Sequence, residues 1–281
     1  MSDYLLRFGG IARLYGTPGA KILEQAHFCV IGIGGVGSWA AEALARNGIG
    51  NITLIDLDDI CISNINRQIH ALSGTIGLSK VDVMHDRIKQ INPDCHVTVV
   101  EDFVTEDNLM ILLKAQEKKF DYIIDAIDSV NIKAHVIAFC RRNKLAIITI
   151  GGAGGQVDPS KIAITDLSKT YQDPLLAKVK NQLRREFNFP KADRPTAGQR
   201  KFSIDAVFSI EQLRYPDNMF AENGKVCLAK PTKDDEHNSS MRLDCSGGFG
   251  ATTHVTATFA FFAVGRAIDK HLKKHQKKLS D

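Results

Sequence analysis

A doubly wound, mostly parallel α/β sheet with an antiparallel extension and a C-terminal helix is the fold this sequence predicts, and three observations predict it. The first is the apolar run His27-Phe28-Cys29-Val30-Ile31 followed by Gly32-x-Gly34-x-x-Gly37: a strand, a tight turn, then the start of a helix. The second is repetition. Apolar runs at 52–55, 96–100, 120–126 and 146–150 alternate with amphipathic segments through short loops, as βαβ units require. The third is the position of Asp56, Asp58, Asp125 and Asp128 at or just after strand ends, where open α/β sheets bind ligands.

Taken in order, residues 5–26 read as a helical arm with Leu5, Leu6, Ile11, Leu14, Ile22 and Leu23 on its apolar positions, and with Arg7 and Arg13 ahead of the glycine loop. The helix after Gly37 runs to about Asn47, with Gly48 as a C-cap. Strand 52–56 ends in Asp56, and the polar cluster Ser63-Asn64-Ile65-Asn66-Arg67-Gln68 follows. Gly77-Leu78-Ser79-Lys80 leads into a helix with Val81, Met84, Ile88 and Ile91 on one face, where Ser79 and Asp82 have capping-box spacing. Lys80 sits in the first turn of that helix, where the dipole disfavours a cation; a phosphate would resolve the conflict.

Strands at 96–100 and 120–126, a helix at 131–143 and a strand at 146–150 complete the alternation. Gly151-Gly152-Ala153-Gly154-Gly155 interrupts it, as a close backbone approach to a ligand or ion, or as a turn into an antiparallel strand at 161–165. Asp173-Pro174 opens a helix with Pro at its first position and Leu175, Leu176, Val179, Leu183 and Phe187 along one stripe. Basic 191–201 and mixed 215–240 read as loops. From Cys245 to Gly265 there is no charged residue; abundant Gly, Thr and Ser favour a helix buried in the protein or a dimer interface, with association with an inner membrane as the alternative. No linker separates domains, so 1–281 is expected to be one unit: a nucleotide-binding core at 1–165 and a substrate- or dimer-facing extension with a basic tail at 166–281.

Composition narrows the function. The net charge is +4, and residues 266–281 alone carry six Lys/Arg against two Asp, so the excess lies in the tail. That suits a polyanion such as tRNA or acidic lipid, or simply a helix C-terminus. The six cysteines include no Cys-x-x-Cys pair, and the start Met-Ser-Asp-Tyr has no leader-like run. A reducing, cytoplasmic setting is expected.

The glycine loop, Gly32, Gly34, Gly35 and Gly37, admits phosphates to backbone N–H groups, and Asp56, about 20 residues on, is placed for a ribose hydroxyl, as in a Rossmann-like site. A hydride-transfer enzyme needs those features but has little use for Arg67 and Lys80. Phosphoryl or nucleotidyl chemistry needs cations and a metal around the phosphates. With Asp128 as the carboxylate for Mg²⁺, the residues favour ATP over NAD.

Ile31 to Ser38, Asp56-x-Asp58, Asn64-x-x-Arg67-Gln68, Gly77-x-x-Lys80 and Asp125-x-x-Asp128 together resemble the ubiquitin-activating enzyme superfamily, which includes the bacterial molybdopterin- and thiamine-pathway adenylating enzymes. Arg7-Phe8-Gly9-Gly10, Asn66 to Ala71, Gly151 to Gln156 and Asp244-Cys245-Ser246-Gly247-Gly248-Phe249-Gly250 resemble one branch almost end to end, the tRNA threonylcarbamoyladenosine dehydratases. The resemblance implies ATP-dependent cyclisation of threonylcarbamoyladenosine in tRNA through a carboxyl-adenylate, releasing AMP and pyrophosphate. It assigns Asp56 and Asp58 to the nucleotide, Asn64, Arg67 and Lys80 to phosphate charge, and Asp128 to Mg²⁺. It adds an N-terminal arginine, Arg13 or Arg7, across a homodimer, a monovalent cation (Na⁺ or K⁺) near Gly151–Gly155, and a cysteine desulfurase sulfur-transfer system as a partner.

Two departures bear on the reading. Many relatives hold zinc on two Cys-x-x-Cys pairs; without them no zinc site is expected. Relatives with thioester chemistry use a cysteine, for which Cys245 is the one candidate; direct cyclisation needs none, and the leading reading of Cys245 is a small buried residue. The rival functions are adenylation of a ubiquitin-like sulfur carrier, an NAD-dependent dehydrogenase, and a non-catalytic sulfur-relay or tRNA adaptor.

Overall fold

The computed structural model describes residues 3–114, 119–191, 201–215 and 249–280. Its elements are α1 (Asp3–Gln25), β1 (His27–Ile31), α2 (Gly37–Arg46), β2 (Asn51–Ile55), α3 (Lys80–Ile91), β3 (His96–Val100), α4 (Leu109–Leu113), β4 (Tyr122–Asp125), α5 (Val130–Arg142), β5 (Ile147–Ile150), β6 (Ile162–Asp166), α6 (Pro174–Glu186), β7 (Asp205–Ser209) and α7 (Thr253–Ser280).

The strands form one seven-stranded sheet in the order β3-β2-β1-β4-β5-β7-β6. Every pair is parallel except β6 with β7. This is the expected doubly wound sheet with an antiparallel extension. The chain winds outward from β1 to β3, then returns to place β4 on the other side of β1. The crevice beyond the carboxyl ends of β1 and β4 is therefore a topological switch point, the place such sheets bind ligands.

Because side chains alternate across a strand, both faces are buried. Phe28 and Val30 join the core under α1, α2, α3 and α7, while Cys29 and Ile31 join the core under α4, α5 and α6. The small Ala40 and Ala41 of α2 share the first core with Phe259, Ala260, Ala263 and Val264 of α7. The uncharged C-terminal stretch is thus a core helix that begins at Thr253. Among the described residues no helix is long and apolar enough to cross a membrane.

Several expectations need correction. The arm α1 breaks at Gly16 (φ +76°), two residues before Pro18. Its inward side chains are Tyr4, Phe8, Ala20 and Leu23, whereas Leu5, Leu6 and Leu14 face outward, so one stripe does not continue through the break. Ser79 precedes α3 but makes no capping bond through its side chain, so there is no capping box with Asp82. Strand β7 and the short α4 carry no clear signal in the sequence. The predicted loop at 215–240 and Cys245 lie almost wholly or wholly outside the described residues.

Candidate active site

The loop leaving β1 is built so that only glycine fits at its key points. Gly32 has φ +86°, and a Cβ there would lie 3.0 Å from the Ala126 carbonyl oxygen on the loop leaving β4. A Cβ on Gly37 would fall 1.7 Å from the Gly32 carbonyl oxygen, so the loop folds back onto its own start. Gly35 lies under the Arg67 side chain, whose Cγ would be 3.2 Å from an added Cβ. The glycine spacing therefore shapes the loop and also lets an arginine cross it.

The polar cluster from 63 to 68 packs over this loop. Trp39 on α2 donates through Nε1 to the Arg67 carbonyl at 3.0 Å, fixing the backbone, while Arg67 Nη1 donates to the Ser63 carbonyl and Asn66 Oδ1. Asn64 is buried, and its Oδ1 accepts from the Cys61 N–H at 3.1 Å. Part of its role is thus to make the turn that presents Arg67.

Asp56 joins the end of β2 to the same loop. Its Oδ2 accepts from the Ile33 N–H at 2.5 Å and its Oδ1 from the Asp58 N–H at 2.8 Å. Burial pushes its carboxyl above the ordinary range, against the pull of Lys80 and these two donors. Residues 58–60 then run alongside 77–80, with the Lys80 N–H donating to the Asp58 carbonyl and the Ile60 N–H to the Leu78 carbonyl. This pairing places the Lys80 ammonium 2.7 Å from Asp58 Oδ2; the lysine side chain is 7% exposed and the aspartate 57%. The carboxylate supplies the negative charge that the first turn of α3 requires of a lysine partner.

Beside Lys80 lies a group of buried polar atoms without hydrogen-bond partners among the described residues: Gln68 Oε1, both ring nitrogens of His70 and Ser79 Oγ. Burial, then the charges of Lys80 and Arg87, lower the His70 pKa to about 4, so this imidazole is neutral. Buried polar groups without a protein partner are ordinarily satisfied by water or a ligand.

The two acids after β4 separate. Asp128 is exposed on the loop. Asp125 is fully buried: its Oδ2 accepts from Lys133 Nζ at 2.8 Å and from Thr149 Oγ1 at 2.7 Å, and its Oδ1 from the Ile127 N–H. Lys133 on α5 is also fully buried. This pair ties α5 and β5 to the loop carrying Asp128. Sequence reasoning missed it, because a lone lysine in an amphipathic helix reads as a surface residue.

Arg7 pairs with Asp3 at 2.8 Å and lines a cavity of about 490 Å³ with Arg46, Arg87 and Gln90, at the carboxyl ends of α2 and α3. The glycine loop and Lys80 stand at the opposite, amino ends of those helices. Arg13 is exposed on α1. The 151–155 segment approaches protein: a Cβ on Gly151 would lie 1.9 Å from Asp173 Oδ2, and one on Gly155 would lie 2.9 Å from Phe249. Asp173 caps α6 through the Leu176 N–H and also accepts from the Gly152 N–H.

Comparison with known proteins agrees with this geometry. A family model described as the ThiF family matches residues 10–280. The tRNA threonylcarbamoyladenosine dehydratase of Haemophilus influenzae is 53% identical over 274 residues, 98% of this chain and 96% of its own. The crystal structure of the E. coli tRNA N6-threonylcarbamoyladenosine dehydratase in complex with ATP superposes with a TM-score of 0.82 at 49% identity, covering 98% of both chains. The complex of that enzyme with AMP gives 0.81 at 50% identity, again covering 98% of both.

Proposed function

The chain belongs to the ThiF family, and from that premise we propose that it is an ATP-dependent tRNA-modifying enzyme that cyclises threonylcarbamoyladenosine in tRNA. The observation that carries this reading is the convergence of Arg67, laid across Gly35, and Lys80, paired to a solvent-facing Asp58, on one glycine loop at the switch point. A hydride-transfer site has little use for two such cations at the glycine loop.

The reaction has two displacements. The threonyl carboxylate attacks the α-phosphate of ATP and expels pyrophosphate, giving a carboxyl-adenylate. The carbamoyl group then closes on the activated carbonyl and expels AMP, leaving a hydantoin or oxazolone ring one water lighter. Backbone N–H groups of the loop and the amino end of α2 face the phosphates. Arg67 and Lys80 neutralise the charge that develops on the phosphate oxygens, with Lys80 exchanging Asp58 for phosphate. Asp56 orients the ribose from the end of β2. Asn64 supports the segment that carries Arg67.

Mg²⁺ fits the donors here: Asp128 is an exposed, hard oxygen ligand two residues beyond the Ala126 carbonyl that faces Gly32. Bound there with the phosphates, it would add positive charge to the site. A monovalent cation at 151–155 fits less well, since the Gly152 and Gly155 carbonyls already accept from Gln156 Nε2 and the Arg214 N–H. A homodimer is supported by the outward apolar residues Leu6, Leu14, Ile62 and Leu72, each more than half exposed. It would let Arg13 reach the partner's phosphates. In this reading residues 1–165 carry the nucleotide-binding groups and 166–281 the substrate- or dimer-facing extension and basic tail, with α7 packed into the core, and the enzyme works in the cytoplasm with a cysteine desulfurase system as partner.

The test is nucleoside mass spectrometry after incubation with ATP, Mg²⁺ and tRNA carrying threonylcarbamoyladenosine. A product one water lighter, formed only with ATP, is expected. ATP binding with no such product would move the assignment to activation of a carrier protein.

A further inference from the structure

At the opposite end of the sheet from the nucleotide loop, Asp121, His271 and His275 each bring a ligand atom to within 4.8 Å of the others. The sequence places the two histidines four apart on α7, hence on one face, and the fold brings Asp121 to them from the entry to β4.

Three features mark this as more than a chance meeting. His271 is 2% exposed, yet neither ring nitrogen has a hydrogen bond of normal geometry; the Ile22 carbonyl is near enough only to favour a ring proton weakly. Second, His275 Nδ1 lies 3.0 Å from the His271 carbonyl. A carbonyl only accepts, so Nδ1 carries a proton and Nε2 is the nitrogen turned away from the helix backbone, the usual arrangement of an oriented histidine ligand. Third, Asp121 Oδ2 accepts from the His27 N–H at 2.9 Å, which fixes the carboxylate against β1. A cavity of about 290 Å³ opens onto Asp121 and His271. Of the lysines lining it, Lys270 is drawn to Asp205 at 2.7 Å, and Lys274 is the cation that opposes binding.

We propose that Asp121, His271 and His275 form a binding site for one divalent transition-metal ion of the zinc type. Two imidazoles and one carboxylate are borderline ligands that suit Zn²⁺ or Co²⁺ and offer too few oxygens for Mg²⁺ or Ca²⁺. Three protein ligands leave a position for water. The lack of paired cysteines excludes the cysteine-type zinc site and leaves this one open. The ion clamps the last turns of α7 to the start of β4, a bracing role separate from the chemistry at the glycine loop.

The experiment uses the full-length, untagged chain after chelation and desalting, titrated with Co²⁺ and Zn²⁺, with Mg²⁺ as control. One Co²⁺ per chain is expected, with ligand-field absorption, no thiolate charge-transfer band and displacement by Zn²⁺. The thermal midpoint should rise with Zn²⁺ and not with Mg²⁺. His275→Ala, at a half-buried position, should leave the metal-free midpoint unchanged and weaken binding by about 100-fold or more, since loss of even an outer-shell partner costs 10–100-fold. Asp121→Asn should weaken it in the same direction. No bound Co²⁺, a thiolate band, or equal affinity in the parent and both variants would overturn the proposal.

Discussion

Two lysine–aspartate pairs stand at the carboxyl edge of the same sheet with nearly the same length, and they do different work. Lys133 and Asp125 are 2.8 Å apart with both side chains fully buried. Lys80 and Asp58 are 2.7 Å apart, with the lysine 7% and the aspartate 57% exposed. In the first pair every partner is protein: Thr149 and the Ile127 N–H complete the carboxylate's bonds. In the second, one partner is in water and orphaned polar atoms lie alongside. The lesson is that access, rather than distance, separates an ion pair that is sealed from one that can exchange a partner. A buried pair loses several kcal/mol if either member leaves, so it does not exchange. A pair with one partner in water holds less tightly, an exposed pair being worth about 1 kcal/mol or less, and its solvent-facing carboxylate can be exchanged for another anion.

The comparison can be broken most directly at the closed pair. Lys133→Ala should destabilise the fold by about 3–5 kcal/mol, because it strands a buried carboxylate; urea denaturation measures it. A loss below 1 kcal/mol would mean that the pair is hydrated.

Acid sharpens the comparison from the open side. His70 has a folded pKa of about 4 against an ordinary 6.5, so its contribution is complete above pH 6.5 and is lost as pH falls through 4. That window should cost about 3 kcal/mol. Denaturation followed from pH 7 to 4 reads it, and Lys80→Met, which removes a charge that keeps His70 neutral, should make the loss smaller.

The smallest change in free energy carries the largest change in function. Lys80→Ala and Arg67→Ala should each lower turnover by about 10²-fold, or about 2.7 kcal/mol, with the thermal midpoint nearly unmoved. Near-parental rates in both variants would remove the catalytic distinction between the two pairs.

Much of this was legible in the chain. The strands β1, β2, β4 and β5 announce themselves because they are buried on both faces and so read as nearly continuous apolar runs, while the partly buried edge strand β3 shows through its β-branched residues. The residues proposed for the site, Asp56, Asp58, Arg67, Lys80 and Asp128, are short-range features of the segments that follow those strands. Less legible were the parts that depend on distant partners. Strand β7 inserts between β5 and β6 although β6 precedes it in sequence, an order that no local pattern encodes. Leu5, Leu6 and Leu14 face outward while Tyr4 and Phe8 turn in toward Gly48, a neighbour 44 residues from Tyr4 in the chain.

What the sequence determined by itself was the class of sheet, the glycine loop and the charges that follow the strand ends, since periodicity and glycine spacing are local properties of the backbone. The tertiary structure decided which of those charges are free to act. It buried Asp125 against Lys133, left Asp58 beside Lys80 in solvent, and carried Asp121 to His271 across 150 residues of chain. The reason is physical: burial and ion pairing depend on neighbours in space, and those neighbours are chosen only when the sheet is assembled.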